Sequence, residues 1–377
     1  MNRSTKSRIF RTFALCAVSA AMLLPGSCGK HKTEVTKIAV ITKQDISFWH
    51  DVKNGAEDAG DELGVAILYN EGSSHDYPTG DNDYATQIEY INNAISEKVD
   101  AIVIAPNGVT ELDDALAKAD AAGIKIININ SRANYEGVLS CVSSSDLDGG
   151  AVAARYAGTA ILQGDTLRSI FANDGTFADV QKVGTGSIGI IGHTAATADN
   201  RIKGFKSGCV TAISNIMASD GINFADAMGE GVTQEDILKF FDAFYVEGDR
   251  CATIDASYEE AKKLLGTDGK NLKCIFATNT NTTIGVCKAV EELGLSESIY
   301  VIGFNSDEQE LDYLRTGVLD GTVIQNPYNI GYVGVSYAKR AIDDTKLPLS
   351  LDTGVTYVTA NNMNDEYIQL LLYPESY

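Results

Sequence analysis

Polar side chains follow several apolar runs of this sequence, at the points where strands of a parallel sheet would end. Four of them are amides: Asn130, Asn279, Asn305 and Gln325. Each sugar hydroxyl both donates and accepts hydrogen bonds, and amide, carboxylate and guanidinium groups match such an edge. A flat aromatic ring covers the apolar face of a sugar. These residue types therefore predict a site for a hydroxyl-rich small molecule.

Ligands of open parallel sheets collect beyond the carboxyl ends of the strands, so the residues directly after each apolar run are the candidates for binding. His193 also follows such a run but is not assigned to the ligand. The residues in these positions that we predict to bind ligand are Thr42, Asp45, Phe48, Trp49, Asn130, Arg132, Asp199, Arg201, Asn279, Asn305 and Gln325.

Trp49, the only tryptophan, lies with Phe48 at a strand-to-helix junction. Two interpretations are open. The aromatic pair stacks on the ligand at the mouth of a cleft, or Trp49 packs against the first turn of its own helix, with Ser47 as the N-cap residue.

Catalytic and cofactor patterns are missing from the sequence. It has four histidines, no pair of them at metal-ligand spacing, and no GxSxG or Walker motif. A GxGxxG match at 184–189 precedes its strand, whereas a phosphate-binding loop follows a strand and opens a helix. We therefore expect no enzyme activity, no cofactor and no metal.

Short apolar runs alternate with amphipathic stretches from residue 37 onward. Continuous apolar strands joined by helices predict parallel sheets covered on both faces. Two such series are present, so we predict an α/β protein with two doubly wound parallel-sheet lobes. Gly64 and Gly123 follow predicted helices as left-handed C-terminal residues. Residues 164–186 interrupt the pattern as a predicted surface loop, and 217–250 are also irregular.

The first 27 residues are typical of an export signal, with basic residues before a twelve-residue apolar run that is too short to span a bilayer. Gly26 and Ser27 before Cys28 indicate a lipidation site, although Pro25 leaves ordinary signal cleavage open. Residues 28–36 would form a lipidated tether.

The net charge of −21 disfavours nucleic acid and anionic membranes as partners. We expect the other exported cysteines to be buried side chains. A disulfide between Cys209 and Cys251 is an open alternative.

Several segments, taken in order over residues 36–365, resemble the type I periplasmic binding proteins, in the ribose/galactose-binding branch that serves ABC sugar importers. They include "ITKQDISFWHDVKNGAEDAGDELG", "NRIKGFKSG", "CIFATNTNTTIGVCKAV" and "VIGFNSDEQELDYLRTGVLDGTVIQN". The resemblance implies two lobes joined by three crossing strands, with ligand between them. The implied lobes are 37–143 plus 326–354 and 144–325 plus 355–377.

The resemblance also implies roles for individual residues. Ser144 matches a ligand-binding hydroxyl of the second lobe. Ribose-type members carry aspartate at the positions of Asn130 and Asn305, and their sugar-binding arginine falls on or near Asp199. The charges of this site are therefore rearranged, which puts ribose itself in doubt.

The function expected from this resemblance is capture of a sugar or sugar-like molecule for an ABC permease, by a monomer held at the membrane through Cys28 lipid alone. We place it in the periplasm or on the outer face of the cytoplasmic membrane. The alternative is a receptor that presents a nucleoside or furanone-type signal to a sensor kinase or chemoreceptor. A repressor of the lac-repressor type shares this core, but it would begin with a DNA-binding motif where this chain has an export signal.

Overall fold

The computed structural model describes residues 35–72, 77–78, 83–162, 177–219, 221, 223, 228, 231–268 and 271–374. The predicted signal peptide and Cys28 lie outside these residues, as does all of the predicted tether except residues 35 and 36. Within the described part of the chain, no helix is both long enough and apolar enough to cross a membrane.

Strands and helices alternate along the described chain. The first series is β1 (Lys37–Ile41), α1 (Ser47–Leu63), β2 (Ala66–Tyr69), α2 (Tyr84–Ser96), β3 (Ala101–Ile104), α3 (Asp113–Ala121), β4 (Lys125–Ile129) and β5 (Val138–Ser143). The second series is α4 (Asp146–Leu162), α5 (Phe177–Gly184), β6 (Ile188–Ile191), α6 (Thr197–Ser219), α7 (Gln234–Asp242), β7 (Tyr245–Glu247), α8 (Ile254–Lys263), β8 (Cys274–Ala277), α9 (Thr280–Glu292), β9 (Tyr300–Phe304), α10 (Glu308–Thr316) and β10 (Gly321–Ile324). The last elements are α11 (Pro327–Ile342), β11 (Ser350–Asp352), β12 (Thr356–Val358) and α12 (Glu366–Leu372).

The strands form two six-stranded sheets. The first has the order β11-β5-β4-β3-β1-β2, and the second has the order β12-β10-β9-β8-β6-β7. All neighbours pair in parallel except β10 and β12, which are antiparallel. The predicted architecture of two parallel-sheet lobes is confirmed.

The central strands β1, β3, β6, β8 and β9 are mainly apolar because helices cover both faces of each sheet. In β3, Val103 packs into the core on one face, and its neighbour Ile102 packs into the core on the other. In β8, Phe276 and Ile275 are divided between the two cores of the second lobe in the same way. Burial of each such side chain contributes about 1.5–3 kcal/mol, and together they hold the strand ends in place.

Helix α11 returns the chain to the first sheet and packs against α1. The two backbones meet at glycines: a Cβ on Gly331 would lie 1.9 Å from the carbonyl oxygen of Val52, and one on Gly55 would lie 2.0 Å from that of Tyr328. Any larger residue at either position would separate the helices. This close packing fixes α1 against α11, and the first turn of α1 lies at the candidate site.

The chain passes between the two sheets three times: between β5 and α4, between β10 and α11, and between β11 and β12. The Ser144 hydroxyl joins all three crossings, because it bonds Thr353 Oγ1 at 2.9 Å and accepts from the Asn326 N–H at 3.4 Å. The exact lobe boundaries within these crossings stay a prediction.

Two segments predicted as irregular contain regular structure. Residues 164–176 of the predicted 164–186 loop lie outside the described residues, but α5 occupies most of the rest of it. The 217–250 segment contains the end of α6, helix α7 and the edge strand β7. Strand β7 has three residues, none fully buried, so no continuous apolar run marks it. Strand β5 was also not predicted, since the exposed Leu139 interrupts its apolar pattern.

The ends of two helices bear out the glycine predictions. Gly64 and Gly123 both have left-handed backbones, with φ of 66° and 83°. The Ser47 prediction is wrong, because α1 begins at Ser47 itself and Ile46 occupies the N-cap position without a side-chain cap. All five cysteines of the described residues are free, so Cys209 and Cys251 form no disulfide with each other.

Candidate functional site

A groove lies between the carboxyl edges of the two sheets. The described residues that line it are Lys43, Gln44, Ile46, Phe48, Trp49 and Asn130 on the first lobe, and His193, Thr194, Ala195, Thr197, Arg201, Cys251, Ala252, Asn279, Asn281, Asn305 and Gln325 on the other side. Its volume is about 120 Å³, and it adjoins a wider cavity of about 380 Å³. This is the place where doubly wound sheets bind small ligands.

Two groove asparagines have left-handed backbones. Asn130 has a φ of 59° and Asn305 a φ of 88°, a region that asparagine enters more readily than most residues. Each backbone N–H still bonds the neighbouring strand, Asn130 to Val142 O and Asn305 to Val323 O, both at 2.8 Å. The backbone thus turns at the strand end without losing a sheet bond, and the amide is placed at the groove.

Amides of the second lobe are held by bonds to one another. Gln325 Nε2 donates to Asn305 Oδ1 at 3.1 Å, and Asn305 Nδ2 donates to Thr280 Oγ1 at 3.3 Å. Asn279 is the N-cap of α9, where its Oδ1 accepts from the Thr282 N–H at 3.0 Å. Because Oδ1 makes the capping bond, the Asn279 Nδ2 group is available to a ligand.

Arg201 is fixed on three sides. Its Nε donates to Asp146 Oδ1 and its Nη1 to the Thr278 carbonyl, both at 2.7 Å, and its guanidinium carbon lies 3.7 Å from the centre of the Phe304 ring. The residue is only 4 % exposed, yet its head forms part of the groove wall. Its Nη2 has no hydrogen-bond partner among the described residues.

His193 is held between two hydroxyls. Its Nδ1 lies 2.7 Å from Thr278 Oγ1, and its Nε2 lies 2.8 Å from Thr197 Oγ1. Burial lowers the pKa of His193 well below its usual value, and the charges of Arg201, Arg250 and Lys43 lower it further. The imidazole is therefore neutral at pH 7, and it shapes the groove without adding charge.

The two aromatic residues have different roles, Trp49 in the core and Phe48 at the groove. Trp49 is 4 % exposed and belongs to the first-lobe core, so most of its indole packs as in the second interpretation. Phe48 is half-buried, meets the Trp49 ring edge-on at 4.8 Å, and lines both the groove and the adjoining cavity. Phe48 is the ring best placed to cover a ligand.

Seven of the predicted residues line the groove together: Phe48, Trp49, Asn130, Arg201, Asn279, Asn305 and Gln325. Five others do not, and they require correction. Thr42 is fully buried, and its hydroxyl bonds Tyr69 and Asn70. Ser144 bonds within the crossings, as described above.

The remaining corrections concern charged residues. Asp45 is exposed and pairs with His50 at 2.7 Å. Arg132 Nη1 donates to the Leu349 carbonyl at 3.0 Å, in the loop before the edge strand β11. Asp199 lies on the solvent side of α6 and pairs with Arg250 at 2.7 Å. In each case the side chain bonds to a neighbouring group that lies outside the groove.

Ten of the groove-lining residues were not predicted to bind ligand. Besides the Cys251 thiol, the polar ones are Lys43, Gln44, His193, Thr194, Thr197 and Asn281. Lys43 and Gln44 directly follow the predicted first strand, so the strand-end rule applied to every residue would have found them. Thr197 and Asn281 lie in the first turns of α6 and α9. Residues at helix starts face the same edge as strand ends in a parallel sheet, and this was the available signal.

A family model described as a periplasmic binding protein domain matches residues 38–346 of the chain. The chain belongs to this family. As a periplasmic binding protein, it is similar to the ribose import binding protein RbsB of Haemophilus influenzae, with 22 % identity over 342 residues that cover 89 % of this chain and 97 % of that protein. It is also similar to the D-allose-binding periplasmic protein of Escherichia coli, with 22 % identity over 76 % of this chain and 78 % of that protein.

Solved structures of similar fold include solute-binding proteins of transporters with a bound ligand. One is a carbohydrate transporter solute-binding protein from Agrobacterium radiobacter in complex with D-arabinose, 26 % identical, with a TM-score of 0.65 over 90 % of this chain and 99 % of that one. Another, from Agrobacterium vitis with bound D-fucose, is 24 % identical, with a TM-score of 0.66 over 89 % of this chain and all of that one.

Proposed function

We propose that this chain is an extracytoplasmic solute-binding protein that captures a sugar or sugar-like molecule between its lobes and delivers it unchanged to an ABC importer. The observation that carries the proposal is the convergence of six amides, one guanidinium and a phenyl ring on a single groove. Such a wall satisfies ligand hydroxyls and covers one apolar face. A ligand without those hydroxyls would leave buried polar groups unpaired and would bind weakly.

The relatives support the same assignment. RbsB is named for ribose import, and other similar proteins are named for binding D-allose or xylitol. Because these names include import, transport is favoured over presentation of a signal to a sensor kinase or chemoreceptor. Binding without turnover is part of the proposal.

Closure of the two lobes around ligand would link binding to delivery. The lobes are joined by three short crossings that meet at Ser144, so a change of angle there would move the groove walls together. A ligand that contacts both walls binds the closed form better and so shifts the population toward it. The closed form would then dock on the permease.

The test is a binding screen of the exported chain by calorimetry and thermal shift, using ribose, arabinose, allose, galactose, fucose and xylitol. Ligand at 100 times its dissociation constant raises apparent stability by about 2.7 kcal/mol. If none of these compounds or their oxidised and phosphorylated forms changed the melting temperature or released heat, the proposal would be wrong.

Gln325→Ala sharpens this test, because it removes a groove amide. We expect at least tenfold weaker binding, equal to about 1.4 kcal/mol. Gln369→Ala is the matched control. Gln369 also makes one side-chain bond, to the Met363 carbonyl, but it lies on α12 outside the groove. Equal affinities of the two variants would remove Gln325 from the site.

We also propose that Cys28 is lipidated and holds a monomer at the outer face of the membrane. Stable anchoring requires more than one acyl chain, as bacterial lipoproteins have. Labelling cells with palmitate should mark the wild-type chain and not Cys28→Ser, and light scattering should give the mass of one chain. A labelled Cys28→Ser chain would contradict the anchor.

A further inference from the structure

We propose that the ligand is an acidic sugar, a monosaccharide that carries a carboxylate, and that this carboxylate lies in the groove beside Arg201 and Lys43. This inference rests on the proposed function, since it names the substrate class of the same groove. It is carried by the charges that line the groove, by the hydrogen bonds of Arg201 and by a nearby backbone N–H group.

The groove and the cavity beside it are lined by opposite charges. Among the described residues that line the groove, the charged ones are Lys43 and Arg201, and none is an aspartate or glutamate. Carboxylates line the adjoining cavity, where Asp51, Asp307 and Glu308 form part of the wall. A ligand with one negative end is therefore attracted to the groove and repelled by the adjoining cavity.

Arg201 keeps a donor for the ligand. Asp146 and the Thr278 carbonyl engage Nε and Nη1, while Nη2 has no partner among the described residues. The side chain is nine-tenths buried, so this guanidinium is held rigidly in the groove wall. A charge-assisted bond from a fixed guanidinium to a carboxylate is about twice as strong as a neutral one.

A backbone N–H group adds to the positive potential of the groove. Ala195 lines the groove just before α6, and its N–H has no hydrogen-bond partner among the described residues. Helix α6 is 23 residues long, and the positive end of its dipole faces the same region. Arg201 Nη2 and this N–H group are together suited to two carboxylate oxygens.

Three cations lie around His193. Burial lowers the pKa of this imidazole, and the charges of Arg201, Arg250 and Lys43 lower it further. Asp146 and Asp199 offset part of this charge from positions outside the groove lining. The net charge of −21 is spread over the chain, and salt screens it beyond about 8 Å at physiological ionic strength.

The decisive experiment compares pairs of sugars that differ only at the charged group. Calorimetry on the full exported chain would use D-galacturonate against D-galactose and D-glucuronate against D-glucose, with D-glucose 6-phosphate as a third anion. We expect the better uronate to bind at least tenfold more tightly than its neutral partner. Tighter binding of the neutral sugars would overturn this inference and leave the proposed function standing. Tighter binding of the sugar phosphate would overturn the carboxylate assignment.

Lys43→Gln tests the site itself. It should weaken uronate binding at least tenfold and neutral-sugar binding less than threefold. Lys203→Gln is the matched control, with the same charge change at an exposed position on α6, two residues from Arg201. An equal loss for both kinds of sugar, or an equal loss in both variants, would overturn the role of Lys43.

If Lys43→Gln does not fold, as judged by its melting curve, Arg201→Lys replaces it. A lysine there keeps the positive charge but lacks the planar fork that reaches Asp146 and the ligand together. The ratio of uronate to neutral-sugar affinity should fall at least threefold. An unchanged ratio would place the carboxylate elsewhere.

Discussion

The two walls of the groove hold their binding groups in different ways. On the second-lobe wall, Asn279, Asn305 and Arg201 already bond to the protein, whereas on the first-lobe wall Asn130 has no side-chain partner among the described residues. The bonded side chains of the second-lobe wall are fixed before ligand arrives, whereas ligand would supply a partner for the Asn130 amide. Substitution of those second-lobe residues should therefore reduce stability and affinity together, and substitution of Asn130 should reduce affinity alone.

The largest effect is expected for Arg201→Met, which would leave Asp146 without its buried partner. Breaking a buried pair by removing one side costs about 3–5 kcal/mol of unfolding free energy. Arg250→Met is the matched control, because Arg250 and Asp199 are also 2.7 Å apart but lie at the surface. Removal of an exposed pair costs less than about 1 kcal/mol. Urea denaturation of both variants measures the difference, and similar losses would contradict the rigid wall.

His193 makes the stability of the protein depend on pH. Its pKa is lowered in the folded protein, so its contribution to stability is complete above its ordinary value of 6.5 and is lost as pH falls toward the folded value. Unfolding free energy should decline below pH 6.5 by up to about 1.4 kcal/mol per pH unit. His193→Gln should flatten this decline, while the same change at the exposed His50 should not. A His193→Gln curve parallel to wild type would show that burial of this imidazole does not set the acid limit.

At Asn279, stability and ligand binding can be tested separately at one position. Asn279→Ala should cost about 1 kcal/mol of stability through loss of the α9 cap, and should weaken ligand binding about tenfold, or about 1.4 kcal/mol. Asn279→Asp keeps the capping oxygen but loses the Nδ2 donor. It should restore the melting temperature and leave binding weak. Recovery of both properties would show that Asn279 acts only as a cap.

Asn130→Gly should have the smallest effect on stability. Glycine accepts the left-handed backbone at φ 59°, and no side-chain bond within the described residues is lost. We expect about tenfold weaker binding with an unfolding free energy within about 1 kcal/mol of wild type. Lys98→Gly, at φ 55° on the opposite edge of the sheet, is the control and should bind normally. A large loss of stability in Asn130→Gly would contradict the contrast between the walls.

Much of the groove could be predicted from the sequence because strand ends are easy to locate. Continuous apolar runs mark the central strands, and the residues after them, such as Asn130, Asn279 and Gln325, face the groove. Edge strands and short helices were missed, since β7 and α5 have little buried surface to leave a pattern.

The direction of individual side chains could not be predicted, because it depends on partners far away in the sequence. Thr42 turns to Tyr69 and Asn70, and Ser144 turns to Thr353, 209 residues later. Position after a strand places a residue near the groove, but competition for hydrogen bonds decides which way it faces.

The left-handed backbones of Asn130 and Asn305 limit what can replace them. Glycine, asparagine and aspartate are the residues that accept such a backbone with little strain. Codons for asparagine and aspartate differ at a single base, and the two side chains have nearly the same shape. One nucleotide change can therefore place a full negative charge at the floor of the groove while the main chain stays where it is. Evolution can therefore change the charge of this groove without rebuilding either lobe.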